Sequence, residues 1–135
     1  MSLTNFARNK IQDYLLGNVS FTTSGSYYLA LSTTSVSISG SNVTEPAGAV
    51  GYARQPIANN KVTGFTYSSS GCLVNYSDIT FPISTGSWGT ITDAALYDAV
   101  TSGSVWFYTT LTTPKIIQTD TTITFSASAL SFGLT

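Results

Sequence analysis

Apolar and polar positions follow two different periods along this chain, and the change from one to the other divides it. From Leu3 to Leu16 the apolar residues Leu3, Ala7, Ile11, Tyr14 and Leu15 recur every three or four positions. That spacing lays them on one face of an amphipathic helix, with Arg8, Asn9, Gln12 and Asp13 on the other. Ser2 or Thr4 is placed to cap its start, and Gly17 suits the left-handed position just past its end. After Gly17 the period becomes two. Ser26 to Ser32 reads as a strand with Tyr28, Ala30 and Ser32 on one side and Tyr27, Leu29 and Leu31 on the other. Tyr52 to Ile57 is a second strand, in which Pro56 marks an edge or a bulge. Phe65 to Ser69 and Leu73 to Tyr76 flank a turn at Ser70 and Gly71.

Ile79 to Phe81 and the run from Ile91 to Tyr97 read as strands joined through Pro82 and the glycine-rich turn from Thr85 to Gly89, so the pattern predicts that they pair. Trp88 in that turn is expected to fold over the end of a sheet. Val105 to Leu111 is strongly β-prone, with Trp106 and Tyr108 opposite Val105 and Phe107, and Pro114 opens a shorter strand through Ile117. Thr121 to Phe125 and Leu130 to Leu134 complete about nine strands, spaced as in an antiparallel sandwich or barrel. The fold class expected is mainly β: a jelly-roll-like antiparallel β-sandwich over 18–135, with one N-terminal α-helix over 1–17 packed on the core or extending from it. The segment Thr33 to Val50, rich in Ser, Thr, Gly and Asn, is expected to be a long exposed loop, functional or mobile.

Composition then sharpens the picture. Only 8% of residues are charged while 42% are hydrophobic and 13% aromatic. Soluble domains ordinarily carry about a quarter charged residues. A surface so poor in charge is expected to lie against other subunits. With a net charge of −1 and basic residues scattered at Arg8, Lys10, Arg54, Lys61 and Lys115, the chain has no footprint for nucleic acid. No run has the length and apolar purity of a membrane helix, and the N-terminus lacks the order of a signal peptide, so synthesis in a host cytoplasm without export is expected.

Reactive groups are scarce. There is no His, and Cys72 is the single cysteine, so neither a nucleophile-His pair nor a zinc cluster can be assembled within the chain. Cys72 is expected to be a small buried apolar residue. Asp93 and Asp98 fall on opposite faces of one strand, unlike the facing carboxylates of a glycosidase. Asp98, beside the turn at Thr101 to Gly103, reads as a turn residue rather than a calcium ligand. The sequence thus implies no enzyme, no cofactor and no metal. Arg54 in a small, apolar run requires an anionic partner, and Glu45 just upstream is the candidate, the pair forming a clamp between the long loop and the sheet. Tyr27, Tyr28, Tyr52, Trp88, Trp106 and Tyr108 are the aromatics from which a glycan-stacking platform would be built, against the more common use of strand aromatics in a core or a subunit interface.

Several motifs carry a resemblance. The helix ends in Asp13-Tyr14-Leu15-Leu16-Gly17, YLALSTT follows at Tyr28 to Thr34, and Glu45-Pro46 precedes GYARQPI at Gly51 to Ile57. ITFP at Ile79 to Pro82 and TGSWGTIT at Thr85 to Thr92 come next. In this order they resemble a family of small bacteriophage virion proteins of the tail-fibre type, over nearly the whole chain. Where relatives often carry His after GTIT this chain has Asp93, so no role of that His transfers. The resemblance implies a virion component. The reading placed first is a capsid decoration, or cement, subunit, a homotrimer bound to the major capsid protein or other virion proteins through the helix and the loop Thr33 to Val50. The alternative is a tail-fibre or receptor-binding module that meets a host glycan. The residues expected to make contacts are Leu3, Ile11, Tyr14, Arg54, Trp88 and Trp106.

Overall fold

The structure is a computed structural model that describes residues 1–134. Its backbone follows the two periods. Strand β2 (Ser26–Ser32) has the predicted bounds, and Leu29 and Leu31 are fully buried on one face while Ala30 is buried on the other. It sits between β3 (Gln55–Ala58) and β7 (Gly89–Tyr97), and β7 pairs in turn with β8 (Val105–Ile117), all antiparallel. A two-residue strand, β1 (Ser2–Leu3), borders β8 and completes a five-stranded sheet ordered β1-β8-β7-β2-β3. Pro56 lies in β3, at the outer edge, where the missing N–H costs no ladder bond.

Two smaller sheets face this one. β4 (Phe65–Tyr67), β5 (Leu73–Asn75) and β10 (Ser131–Phe132) form one, and β6 (Ile79–Thr80) pairs with β9 (Thr124–Phe125) in the other. Between the layers Leu29, Leu31, Ile57, Ile91, Leu96 and Ile117 meet Phe65, Ile79, Phe81, Ile123, Leu130 and Phe132 in one core. The result is an antiparallel β-sandwich with, among the described residues, one α-helix, α1 (Asn5–Gly17). The back of the five-stranded sheet is covered too. Leu3, Ala7 and Trp106 join α1 to it, while Val43 of the long loop packs against Ala30, Ala95, Tyr97 and Val105.

Several local expectations need correction. The helix begins two residues later than its apolar spacing suggests, because Ser2 and Leu3 pair with Tyr108 and Phe107 as a strand. Thr4 is the cap: its Oγ1 accepts from Ala7 N at 3.3 Å and donates to the Val105 carbonyl at 2.6 Å. Asn18, not Gly17, takes the left-handed position at the C-terminus. The strand at Ile79 does not pair with the one that follows the glycine-rich turn; it pairs with β9, and β7 lies in the opposite layer. Pro114 does not open a new strand. β8 runs through it, since its register on β7 jumps from Asp93↔Thr110 to Ile91↔Lys115 and residues 111–114 bulge outward where no ladder donor is needed. A second shift, between Leu96↔Phe107 and Tyr97↔Val105, leaves Trp106 as the extra residue, so Val105 and Trp106 are both buried and the predicted alternation fails there.

The loop from Thr33 to Val50 is tied down along its length. Thr33 and Thr44 meet through their backbones, Ser32 Oγ accepts from Thr44 N, Asn5 N donates to the Ile38 carbonyl, and Val36 is buried. Asp93 holds the loop from below. Fully buried in β7, it accepts from Val36 N at 3.1 Å and Thr110 Oγ1 at 3.0 Å through Oδ2. Cys72 is exposed, not buried, because it sits between the Ser70-Gly71 turn and the start of β5.

Candidate functional site

Arg54 lies just before β3, and its side chain is only 8% exposed. Its Nε and Nη2 donate to the two oxygens of Glu45 at 2.9 and 2.7 Å, and Nη1 donates to the carbonyls of Ala99 and Ser102 at 2.8 Å each. The guanidinium stacks 3.5 Å from the centre of the Tyr97 ring. A planar fork is matched here by a carboxylate on one side and two carbonyls on the other, a geometry Lys cannot reproduce. Burial works against the charge of Arg54, but hydrogen bonding and attraction from Glu45 outweigh it and hold the group above its ordinary value. This is the predicted clamp, and it has a third member. Tyr52 Oη donates to Glu45 at 2.7 Å and accepts from Leu31 N at 3.0 Å, so burial and the neighbouring carboxylate push its phenol far above the usual range.

The clamp extends in both directions. Trp88 stands edge-on to Tyr52 with ring centres 5.4 Å apart, and its Nε1 donates to the Val50 carbonyl at 2.8 Å. At the other end Arg54 holds the turn that follows Asp98. Asp98 accepts from Ser104 N through Oδ1 at 2.8 Å and from Trp106 Nε1 through Oδ2 at 3.0 Å. Trp106 then packs against Leu3, Ala7, Phe6, Phe21 and Ile11. One continuous network therefore joins Trp88, Arg54, Trp106, Leu3 and Ile11. Tyr14 stands at its margin, reaching Phe21 edge-on at 6.0 Å.

This arrangement changes what those residues can do. Trp88 and Trp106 are 3% and 7% exposed, and Trp88 is a core residue rather than a cover over a sheet end. Neither offers a face to a sugar ring, because each indole is enclosed by the aromatics that fix it. Leu3 is buried under the helix, Ile11 is half-buried, and Tyr14 is exposed. Beyond Tyr14 the apolar residues Leu15, Leu16 and Val19 also stand in solvent, with Leu16 88% exposed. Periodicity alone assigned Tyr14 and Leu15 to the covered face; the helix outruns the sheet beneath it. Sequence reasoning missed Tyr52 as the third member of the clamp and Asp93 as the post beneath the loop. A tyrosine just ahead of the Arg54 run was the available signal for the first, and no signal marked the second.

The chemistry available is that of adhesion between elements. Among the described residues no three His, Cys, Asp or Glu side chains come together as a metal cage. Asp93, Asp98 and Arg54 each hold backbone in place, and Glu45 holds the side chains of Arg54 and Tyr52.

A mainly β sandwich whose polar side chains fasten its own loops belongs to the class of structural β modules. Within that class the chain belongs to a phage fibre family: the family model described as "Podophage GP4 fiber I protein gp80" matches residues 2–133. It is thus a bacteriophage virion structural protein. No curated protein matches the chain.

Proposed function

We propose that this protein is a non-enzymatic subunit of the virion fibre that acts by seating its weakly charged surface on other virion proteins. One observation carries the reading. Glu45, Arg54, Asp93 and Asp98 are spent on internal fastening, while Tyr14, Leu15, Leu16 and Val19 stand in solvent at the end of the helix and just past it. Apolar side chains gathered in solvent are characteristic of surfaces that are covered in an assembly. The fibre location is supported by the description of the family.

Decoration of the capsid shell is the second reading, with the major capsid protein as partner and a homotrimer as the unit. It is favoured by the placement of α1 and the loop from Thr33 to Val50 on the same back face of the sheet, where both could bear on a neighbouring shell subunit together. Quantitative mass spectrometry of purified virions, with a density map locating the subunit, tests both. A few dozen copies at the tail support the fibre; hundreds of copies spread over the shell select decoration; absence from the particle overturns both. Leu15→Asp with Leu16→Asp is expected to leave the fold intact and abolish incorporation.

A further inference from the structure

The two layers of the sandwich stay parted beside the connection between β3 and β4. A cleft of about 280 Å³ enters there, and each of six strands gives it one apolar side chain. Tyr27, Leu96 and Phe107 come from the five-stranded sheet, and Phe65, Leu73 and Phe132 from the three-stranded one. Leu96 is 1% exposed, and Phe65 and Phe132 are buried as well, so the cleft reaches the core. Phe132 meets Phe65 and Phe107 edge-on, with ring centres 5.2 and 5.5 Å apart. The walls are therefore braced against each other before anything enters.

The rim has a different character. Asn59, Asn60 and Lys61 form it, and their backbone is pinned: Asn59 N donates to the Gly25 carbonyl at 3.0 Å, Asn60 N to the Ala58 carbonyl at 2.8 Å, and Phe65 N to the Asn60 carbonyl at 3.0 Å. Asn60 Oδ1 accepts from the N–H groups of Val62 and Thr63, which leaves the Nδ2 donors of the same amide without a partner among the described residues. Lys61 Nζ stands 3.6 Å from the centre of the Tyr67 ring and meets no carboxylate among the described residues. No carboxylate lines the cleft either. Ligand sites combine an apolar lining with a few fixed polar groups, and here those groups are donors, one of them cationic. We infer that the cleft binds a small monocarboxylic acid, its apolar body between the sheets and its carboxylate on Lys61 and the Asn60 amide. Size limits the body. At ~30 Å³ for each water-sized group, the cleft has space for roughly nine heavy atoms, the measure of a medium-chain fatty acid or an aryl-propionic acid. Each methylene that enters tightens binding roughly three- to fourfold. The site does not depend on whether the subunit sits on fibre or shell.

Titration of the isotope-labelled chain with sodium octanoate at neutral pH, followed by NMR, tests the inference. The expected result is saturable binding at one site that shifts the signals of Phe65, Leu96, Phe107 and Phe132. Hexanoate, two methylenes shorter, is expected to bind roughly tenfold more weakly, and octylamine more weakly than octanoate. Phenylpropionate in place of octanoate shows which body the walls prefer, and tighter binding of either acid supports the site. Lys61→Gln is expected to weaken octanoate roughly fivefold, the scale of an ion pair in contact with water, while octanol binds as before. Lys61→Glu is expected to reverse the preference between octanoate and octylamine. Leu73→Trp, which fills the cleft, is expected to abolish binding of all of them. The Lys61 variants lie on an exposed connection and keep the test decisive if Leu73→Trp does not fold. Absence of saturable binding by any of the acids, signals that move only elsewhere on the surface, or a folded Lys61→Glu that still prefers octanoate overturns it.

Discussion

Four of the five N–H groups on the Arg54 guanidinium are engaged, and the loss of this one side chain would strand a carboxylate and two carbonyls together. Arg54→Ala is therefore expected to cost about 3 kcal/mol, read as a lower urea midpoint, because the penalty for an abandoned buried charge exceeds the worth of the pair. Arg54→Lys should recover less than half, since one ammonium cannot face Glu45 and the Ala99 carbonyl at once. The Arg54–Glu45 pair was legible in the sequence because a lone cation in a small, apolar run has few anions within reach. The fates of Trp88 and Trp106 were not legible: an indole is equally suited to a core, an interface or a sugar, and only tertiary enclosure decides. Cys72 shows the reverse error, where an average tendency toward burial lost to the position of the residue beside a tight turn. Native protein is expected to give one thiol to Ellman's reagent as fully as denatured protein does, and Cys72→Ser should change stability by no more than about 0.5 kcal/mol.

Among the elements, those set by local pattern were legible and those set by distant pairing were not. β2 and the β4–β5 hairpin, with Phe65 opposite Asn75, follow from alternation and a Ser-Gly turn. The partner of β6 is β9, more than forty residues away, and no local signal states which of several short β-prone runs will meet. Proximity in sequence favoured β7 instead; the apolar faces of Ile79 and Ile91 are satisfied from opposite layers. Likewise Pro114 would end a regular strand, and only the bulge at 111–114 lets β8 continue. The connection between β3 and β4 is fixed by contact. A Cβ on Gly64 would lie 1.7 Å from the Ala58 carbonyl oxygen, with Asn60 Oδ1 accepting from the N–H groups of Val62 and Thr63 at 2.8 Å. Gly64→Ala is expected to destabilise by more than about 4 kcal/mol, seen as insoluble expression or a large fall in Tm, because backbone and not a flexible side chain stands in the way.

For the molecule as a whole, stability depends on pH at the alkaline end through its buried phenols. Burial raises the phenols of Tyr27, Tyr52 and Tyr97, reinforced at Tyr52 by Glu45. Below pH ~10 folded and unfolded chains both keep these protons; above it the unfolded chain releases them while the folded one resists, so stability falls as pH rises. Melting curves between pH 8 and 11.5 are expected to show that decline, and Tyr52→Phe should lower Tm at pH 8 yet make the decline shallower. The ends of the chain add a mechanical property. Gly133 N donates to the Met1 carbonyl at 3.1 Å, so the segment beside β10 is clasped to the start of β1, and β1 holds β8 by two residues only. Tension drawn along the polypeptide from its two extremities would first unfasten that clasp and unzip the two-residue strands β1 and β10 from the sheet edges, giving the subunit a compliant first stretch ahead of a stiff body.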